Sequence, residues 1–147
     1  MSDDAIDLQG YFPYFLGTIS NRWTTTSSRI YLQEFGIGIG EWRVLASIKS
    51  FGQASSQQVV SLISMDASAV SRSLAKLEQE GLVSAVKGKF AGRTKPFELT
   101  TKGHRLYSQI RERALAREDA LLAGLTGAQR EVLLELMGKV MARLGDI

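Results

Sequence analysis

The chain contains no cysteine, which excludes disulfides, thiolate metal sites and thiol-based redox sensing within it. Its one histidine is His104, close to Lys102 and Arg105. A zinc site normally draws on several His, Cys or carboxylate ligands, so a single chain offers little for metal sensing or metal catalysis. The serines have no triad partners, and no Gly-x-Ser-x-Gly elbow or strand-to-helix phosphate loop occurs. The glycines at positions 36, 38 and 40 look like a phosphate loop only superficially: no strand precedes them and no Lys-Ser/Thr pair comes after, so the segment is expected to be a connector. No uninterrupted apolar run approaches the roughly 20 residues of a bilayer span. The amino terminus, Ser2-Asp3-Asp4, has no basic region leading into an apolar stretch. The expectation is a cytoplasmic protein with no enzymatic activity, no cofactor and no membrane partner.

What is present is modest in charge and uneven in its distribution. The 147 residues suit one compact domain, or one domain with a helical extension, and carry a net charge of +3. Residues 1–54 hold four basic and five acidic side chains, residues 55–105 eight and four, and residues 106–147 six and six. Between Gly81 and Phe97 stand Lys87, Lys89, Arg93 and Lys95, with no Asp or Glu among them. Such a stripe attracts polyanions. Taken alone, it is equally the composition of a solvated loop.

Helical spacing organises the rest. Leu16, Ile19, Trp23, Ile30 and Phe35, with Pro13 at a first-turn position, predict a long helix from about Pro13 to Phe35 that Gly36 ends. Thr24 to Thr26 lower intrinsic propensity there, so continuity must come from packing. A second helix is expected over about Glu41 to Ser50, with Trp42, Leu45, Ala46 and Ile48 apolar. Ser55-Ser56-Gln57-Gln58 forms a capping box in front of Val59, Val60, Leu62 and Ile63. After a tight turn at Ser64-Met65, Asp66 caps a further helix running to Glu80. Two short helices and a tight turn make a helix-turn-helix.

At about 100 degrees per residue, with Ser68 at zero, Val70, Leu74 and Leu77 of that helix fall at roughly 180 to 240 degrees. Ser68, Ser71, Arg72, Ala75 and Gln79 fall within about 60 degrees of zero. The outward face is slim, polar and able to hydrogen-bond base edges in a major groove, and Lys76 flanks it toward a phosphate. In isolation the same pattern describes any amphipathic helix, but the next twenty residues alter the balance. Gly81 ends the helix, Leu82 to Val86 alternate like a strand, the basic segment turns through Gly88 and Gly92, and Phe97-Glu98-Leu99 return. A hairpin tipped with cations is a wing, suited to a minor groove or its phosphates.

With Glu41-Trp42-Arg43-Val44-Leu45, then Ser71 to Val83, Arg93, and Leu99-Thr100-Thr101-Lys102-Gly103, the chain resembles the MarR family of bacterial transcriptional regulators over nearly its whole length. The resemblance implies a mostly α fold with a small β-hairpin wing (α+β). A winged helix-turn-helix lobe would span 37–100, and a helical dimerisation region would be built from 1–36 and 101–147. It also implies a homodimeric repressor or activator on pseudo-palindromic double-stranded DNA, often released by a small, commonly aromatic, ligand. The family's reading positions fall on Ser68, Ser71 and Arg72, and its wing arginine on Arg93. Ser55, Ser56, Gln57, Lys76, Lys87, Lys89 and Lys95 complete the expected DNA-contacting set. One departure is Ala91, where the family usually has an acidic residue that orients the wing; a more mobile wing, or one ordered by another contact, is expected.

The carboxy-terminal region repeats the capping logic. Thr100 or Thr101 starts a helix to about Ala123, and Thr126 and Gln129 precede Val132, Leu133, Leu136, Val140 and Leu144. This is more apolar surface than one small domain needs. Covering it against a second copy would set two reading helices one DNA turn, roughly 34 Å, apart; the competing reading is packing within a monomer.

For the ligand, the resemblance points to a crevice in which Phe15, Ile19, Arg22 and Trp23 face Trp42 and Arg43. Indoles beside guanidinium groups suit an aromatic carboxylate or phenol. Core packing of the rings, with Arg22 or Arg43 paired to Glu34 or Glu41, is the favoured alternative. Two other functions compete with the regulator: a sequence-tolerant DNA architectural protein, and a helical interaction scaffold without an effector.

Overall fold

Pro13 stands in the first turn of a 24-residue helix, α1 (Phe12–Phe35), where its missing N–H costs nothing. The structure is a computed structural model and describes residues 4–90 and 94–147. The threonine run does not interrupt α1. Next to it Ser27 and Tyr31 are buried, and Thr24 Oγ1 accepts from Arg43 at 3.2 Å, so packing supplies what propensity lacks. Gly36, at φ 74, closes the helix through an N–H to the Leu32 carbonyl.

The connector is shorter than expected. Helix α2 (Ile39–Phe51) begins two residues before Glu41, because the Glu41 carboxylate turns back to accept from the Gly38 N–H at 3.1 Å. Ile37, in the middle of the glycine-rich stretch, is fully buried and anchors the link.

Strand β1 (Ala54–Ser55) was not foreseen. It leads directly into α3 (Ser56–Leu62), and α4 (Ala67–Gln79), β2 (Val83–Ala85) and β3 (Pro96–Leu99) come next. The sheet is antiparallel in the order β1-β3-β2, with Ala54 opposite Phe97, Ser55 opposite Pro96, and Val83, Ser84 and Ala85 opposite Leu99, Glu98 and Phe97. Val44, Leu45 and Ile48 of α2, Val59 of α3, and Val70, Leu74 and Leu77 of α4 are buried, as are Leu82, Val83 and Leu99. This shared core sets α3, α4 and the hairpin as one body, each buried aliphatic contributing about 1.5–3 kcal/mol.

Helix α5 (Thr101–Leu121) and helix α6 (Gly127–Ala142) complete the chain with a short 3-10 turn, Leu144–Asp146. The chain divides into two compact units, Met1–Ile110 and Arg111–Ile147. Within the second, Thr126 and Gln129 form the expected reciprocal cap, and Arg130 holds Asp119 at 2.9 Å. Helix α6 buries no residue at all. No helix among the described residues is long and apolar enough to cross a membrane.

Candidate nucleic-acid interface

Both ends of α4 are tied down, which fixes the face it presents. At its start Asp66 Oδ1 accepts from the Ala69 N–H at 2.7 Å. At its end Gly81, at φ 72, allows the N–H of Leu82 to reach the Leu77 carbonyl and its own N–H to reach Glu78, the paired bonds of a Schellman turn. Two further carbonyls are taken by the start of α5: Thr100 Oγ1 donates to Gly81 O at 2.6 Å and Lys102 Nζ to Glu80 O at 2.7 Å. Gly103 is buried there because a Cβ would collide with the Leu82 carbonyl oxygen.

So held, α4 turns Val70, Ser73, Leu74 and Leu77 inward and leaves Ser68, Ser71, Arg72, Ala75 and Gln79 exposed, the division expected from helical angle. Ser56 and Gln57 of α3 join Ser68, Ser71 and Arg72 around an open depression of about 560 Å³, together with Val60 and Ala67. Five residues assigned to DNA from the sequence therefore share one concave surface. A second depression of about 350 Å³ continues between α4 and the wing, lined by Ser56, Ser71, Ala75, Glu78, Lys95 and Phe97 among others. Hydroxyls, an amide and a guanidinium along an exposed helix offer both donors and acceptors to base edges.

Two members of the expected contact set have other employment. Ser55 is only 6% exposed, because it belongs to β1 opposite Pro96. Its N–H donates to Gln58 Oε1 at 2.9 Å and its Oγ accepts from the Gln58 N–H at 3.2 Å, so it starts α3 instead of facing a partner molecule. Lys76 lies 3.5 Å from Glu41 Oε1, across the α2–α4 contact. That carboxylate also caps α2, so Lys76 holds α4 against α2 and its ammonium is shared with any phosphate.

On the wing, Lys87, Lys89 and Lys95 are exposed, and Lys95 stands 5.7 Å from the Phe97 ring centroid. The hairpin continues past its ladder through Val86 N–H to Pro96 O at 2.9 Å. Arg93 and Ala91 lie outside the described residues, so the expectations attached to them rest on the sequence alone.

The residues assigned to a ligand lie on α1 and α2, in mixed surroundings. Trp42 stacks on Tyr107 at 5.4 Å and meets Tyr31 edge-on at 6.2 Å. Arg43 donates to Thr24 and not to either glutamate named for it. Phe15, Ile19 and Arg22 are exposed, and Trp23 is half-buried. Sequence reasoning missed Tyr31 and Tyr107 as the partners of Trp42, and missed that Lys49 reaches His104 Nδ1 at 3.2 Å while lying over Tyr107. These contacts join α2 to the start of α5, a pairing that local sequence patterns do not reveal.

Known proteins resemble this architecture. The MarR family model matches residues 35–93, the segment that builds α2, α3, α4 and the first side of the wing. That match takes in 59 of the 147 residues. An uncharacterised helix-turn-helix transcriptional regulator of Bacillus subtilis, YwoH, is 28% identical over 105 residues, covering 71% of this chain and 76% of that protein. A MarR/EmrR-family transcriptional regulator from Acinetobacter sp. ADP1 superposes with a TM-score of 0.88 at 28% identity, over 97% of this chain and all of that one. Two Staphylococcus aureus proteins share the fold: MepR solved with DNA (TM-score 0.77, 19% identity, 92% and 98% covered) and MarR solved with salicylate and kanamycin (0.80, 21%, 94% and 92%). The chain thus shares the fold of these MarR-family regulators, a helical body with a three-stranded winged sheet.

Proposed function

We propose that this chain is a MarR-type, DNA-binding transcriptional regulator, a homodimeric repressor of a pseudo-palindromic operator that is released by a small aromatic acid. The observation that carries the DNA half of this reading is the shared depression between α3 and α4, where Ser56, Gln57, Ser68, Ser71 and Arg72 converge on one open surface. In this reading α4 enters the major groove, Ser68, Ser71 and Arg72 meet base edges, and Ser56 and Gln57 meet the backbone. Lys87, Lys89, Arg93 and Lys95 follow phosphates or the neighbouring minor groove. The lobe over 37–100 reads DNA, and 1–36 with 101–147 form the dimer region.

The dimer is supported by α6, on which Val132, Leu134, Leu136 and Met141 are all exposed, and by Phe12, Phe15, Leu16 and Ile19 along α1. Apolar patches of this extent mark association surfaces. The effector is supported by the chemistry of α1, where aromatic and aliphatic surface beside the Arg22 guanidinium suits a ring bearing a carboxylate. The salicylate complex of the S. aureus MarR accords with it.

The test is titration of the full chain into duplex from its own upstream region, against unrelated duplex, across a salt series and with a panel of aromatic acids. The reading expects preference for the upstream duplex, steep loss of affinity with salt, and release by at least one acid. Equal affinity for all duplexes replaces it with the architectural role, and a folded dimer that binds no DNA with the scaffold. A panel that changes neither Trp fluorescence nor DNA affinity removes the effector.

A further inference from the structure

Among the described residues of the wing, one large apolar side chain is exposed: Phe90, to 45%, amid cations. A single exposed ring ordinarily needs no explanation. Three observations set this one apart. It comes directly after Lys89 and lies in the stretch from Gly81 to Phe97 that has no acidic residue, so its surroundings are complementary to a polyanion. It lies past β2 and, among the described residues, past the last hairpin bond at Val86, in the same lobe as the α4 face. And it does not stand free: a Cβ on Gly88 would meet Phe90 Cε2 at 2.7 Å and Cζ at 3.1 Å, so the ring rests beside Gly88. Gly88 has a φ of 154, a conformation that also favours glycine. The ring is therefore pre-positioned before any partner arrives, which lowers the entropy lost on contact.

The geometry points to Phe90 as an apolar wedge that enters the DNA minor groove beside the phosphates held by Lys87 and Lys89. This rests on the operator-binding reading above and adds to it a different kind of contact. Apolar side chains inserted at a minor groove partly unstack a base step and kink the duplex, and pyrimidine–purine steps yield most easily. Phe90 thereby contributes specificity through deformability, at positions where no hydrogen bond is read.

The experiment uses the full chain and a duplex recovered from a random library by the wild-type protein. Affinity is measured over a salt series, and the bend by energy transfer between end labels. Because Phe90 is exposed, Phe90→Ala should melt as the wild type does, yet weaken binding roughly tenfold, the loss of about half a buried ring. Its salt slope should be unchanged and its bend reduced. Phe90→Leu should keep most of the affinity, and Gly88→Ala, which displaces the ring, should fall between. Lys89→Ala provides the contrast, lowering the salt slope by about 1. Wild-type affinity and bend in Phe90→Ala overturn the wedge, and so does a reduced salt slope, which would make the ring a mere support for the lysines. A wild-type protein that recovers no preferred duplex sinks the operator reading itself, an outcome distinct from either.

Discussion

Helices α4 and α6 are of similar length and put opposite demands on their surroundings. Over 13 residues α4 buries Val70, Ser73, Leu74 and Leu77 and turns serines and an arginine outward. Over 16 residues α6 buries nothing, and Leu134 and Met141 are 63% and 69% exposed. The first is finished within its own unit and offers hydrogen bonds to a polar partner. The second is well capped yet energetically unfinished, since apolar surface of that extent is stabilised only when something covers it. One chain thus carries a polar face that is complete within its own fold and an apolar face that is not.

The largest expected effect probes the completed side. Leu77→Ala should cost about 2–5 kcal/mol of unfolding free energy, because a fully buried side chain leaves a cavity beneath α4. The same truncation on α6, Leu134→Ala, should leave monomer stability within about 0.5 kcal/mol. Equal losses in chemical denaturation of the two variants would erase the contrast. Next, Leu134→Glu with Met141→Glu should raise the dimer dissociation constant at least about 100-fold, since each would bury a carboxylate without a partner. Sedimentation that finds the variant and the wild type in the same state would place α6 outside the interface.

Gly103→Ala tests the clamp at the end of α4. The added Cβ must push the Leu82 carbonyl away, and overpacking of this kind costs about 1–3 kcal/mol, read as a lowered melting temperature. Lys102→Met removes only the bond to Glu80 O, worth about 1.5–3 kcal/mol at most for a charged donor and less at this exposed position. The ranking of those two variants is the check. The smallest stability effect belongs to Arg72→Ala, an exposed position where the fold should lose less than about 0.5 kcal/mol while DNA discrimination loses about 1–3 kcal/mol.

Much of this contrast was legible in the chain because it is written in local rules. The caps at Ser55, Asp66 and Thr126 each involve a side chain and an amide three residues on, and all three form as expected. The two faces of α4 follow from helical angle alone. What escaped is non-local. Strand β1 is two residues long and exists only because β3 returns beside it, and that pairing is what buries Ser55. The ion pair of Lys76 with Glu41 likewise exists only because α2 packs beside α4. The neighbours of Trp42, Tyr31 and Tyr107, lie 11 residues before it and 65 after it in the numbering, beyond any local pattern. The early start of α2 escaped for a simpler reason: a glycine has no side chain to announce a cap, and Glu41 supplies the acceptor from inside the helix.

The central claim is that the exposed face of α4 distinguishes DNA sequences. The most direct measurement is selection from a random duplex library by the wild-type chain and by Arg72→Ala, with affinities then measured on the recovered and scrambled duplexes. The account predicts that the wild type recovers two inverted half-sites about one helical turn apart. It also predicts that Arg72→Ala loses its preference at one base position in each half-site while keeping the rest. An unchanged recovered sequence and unchanged affinity in Arg72→Ala would contradict it.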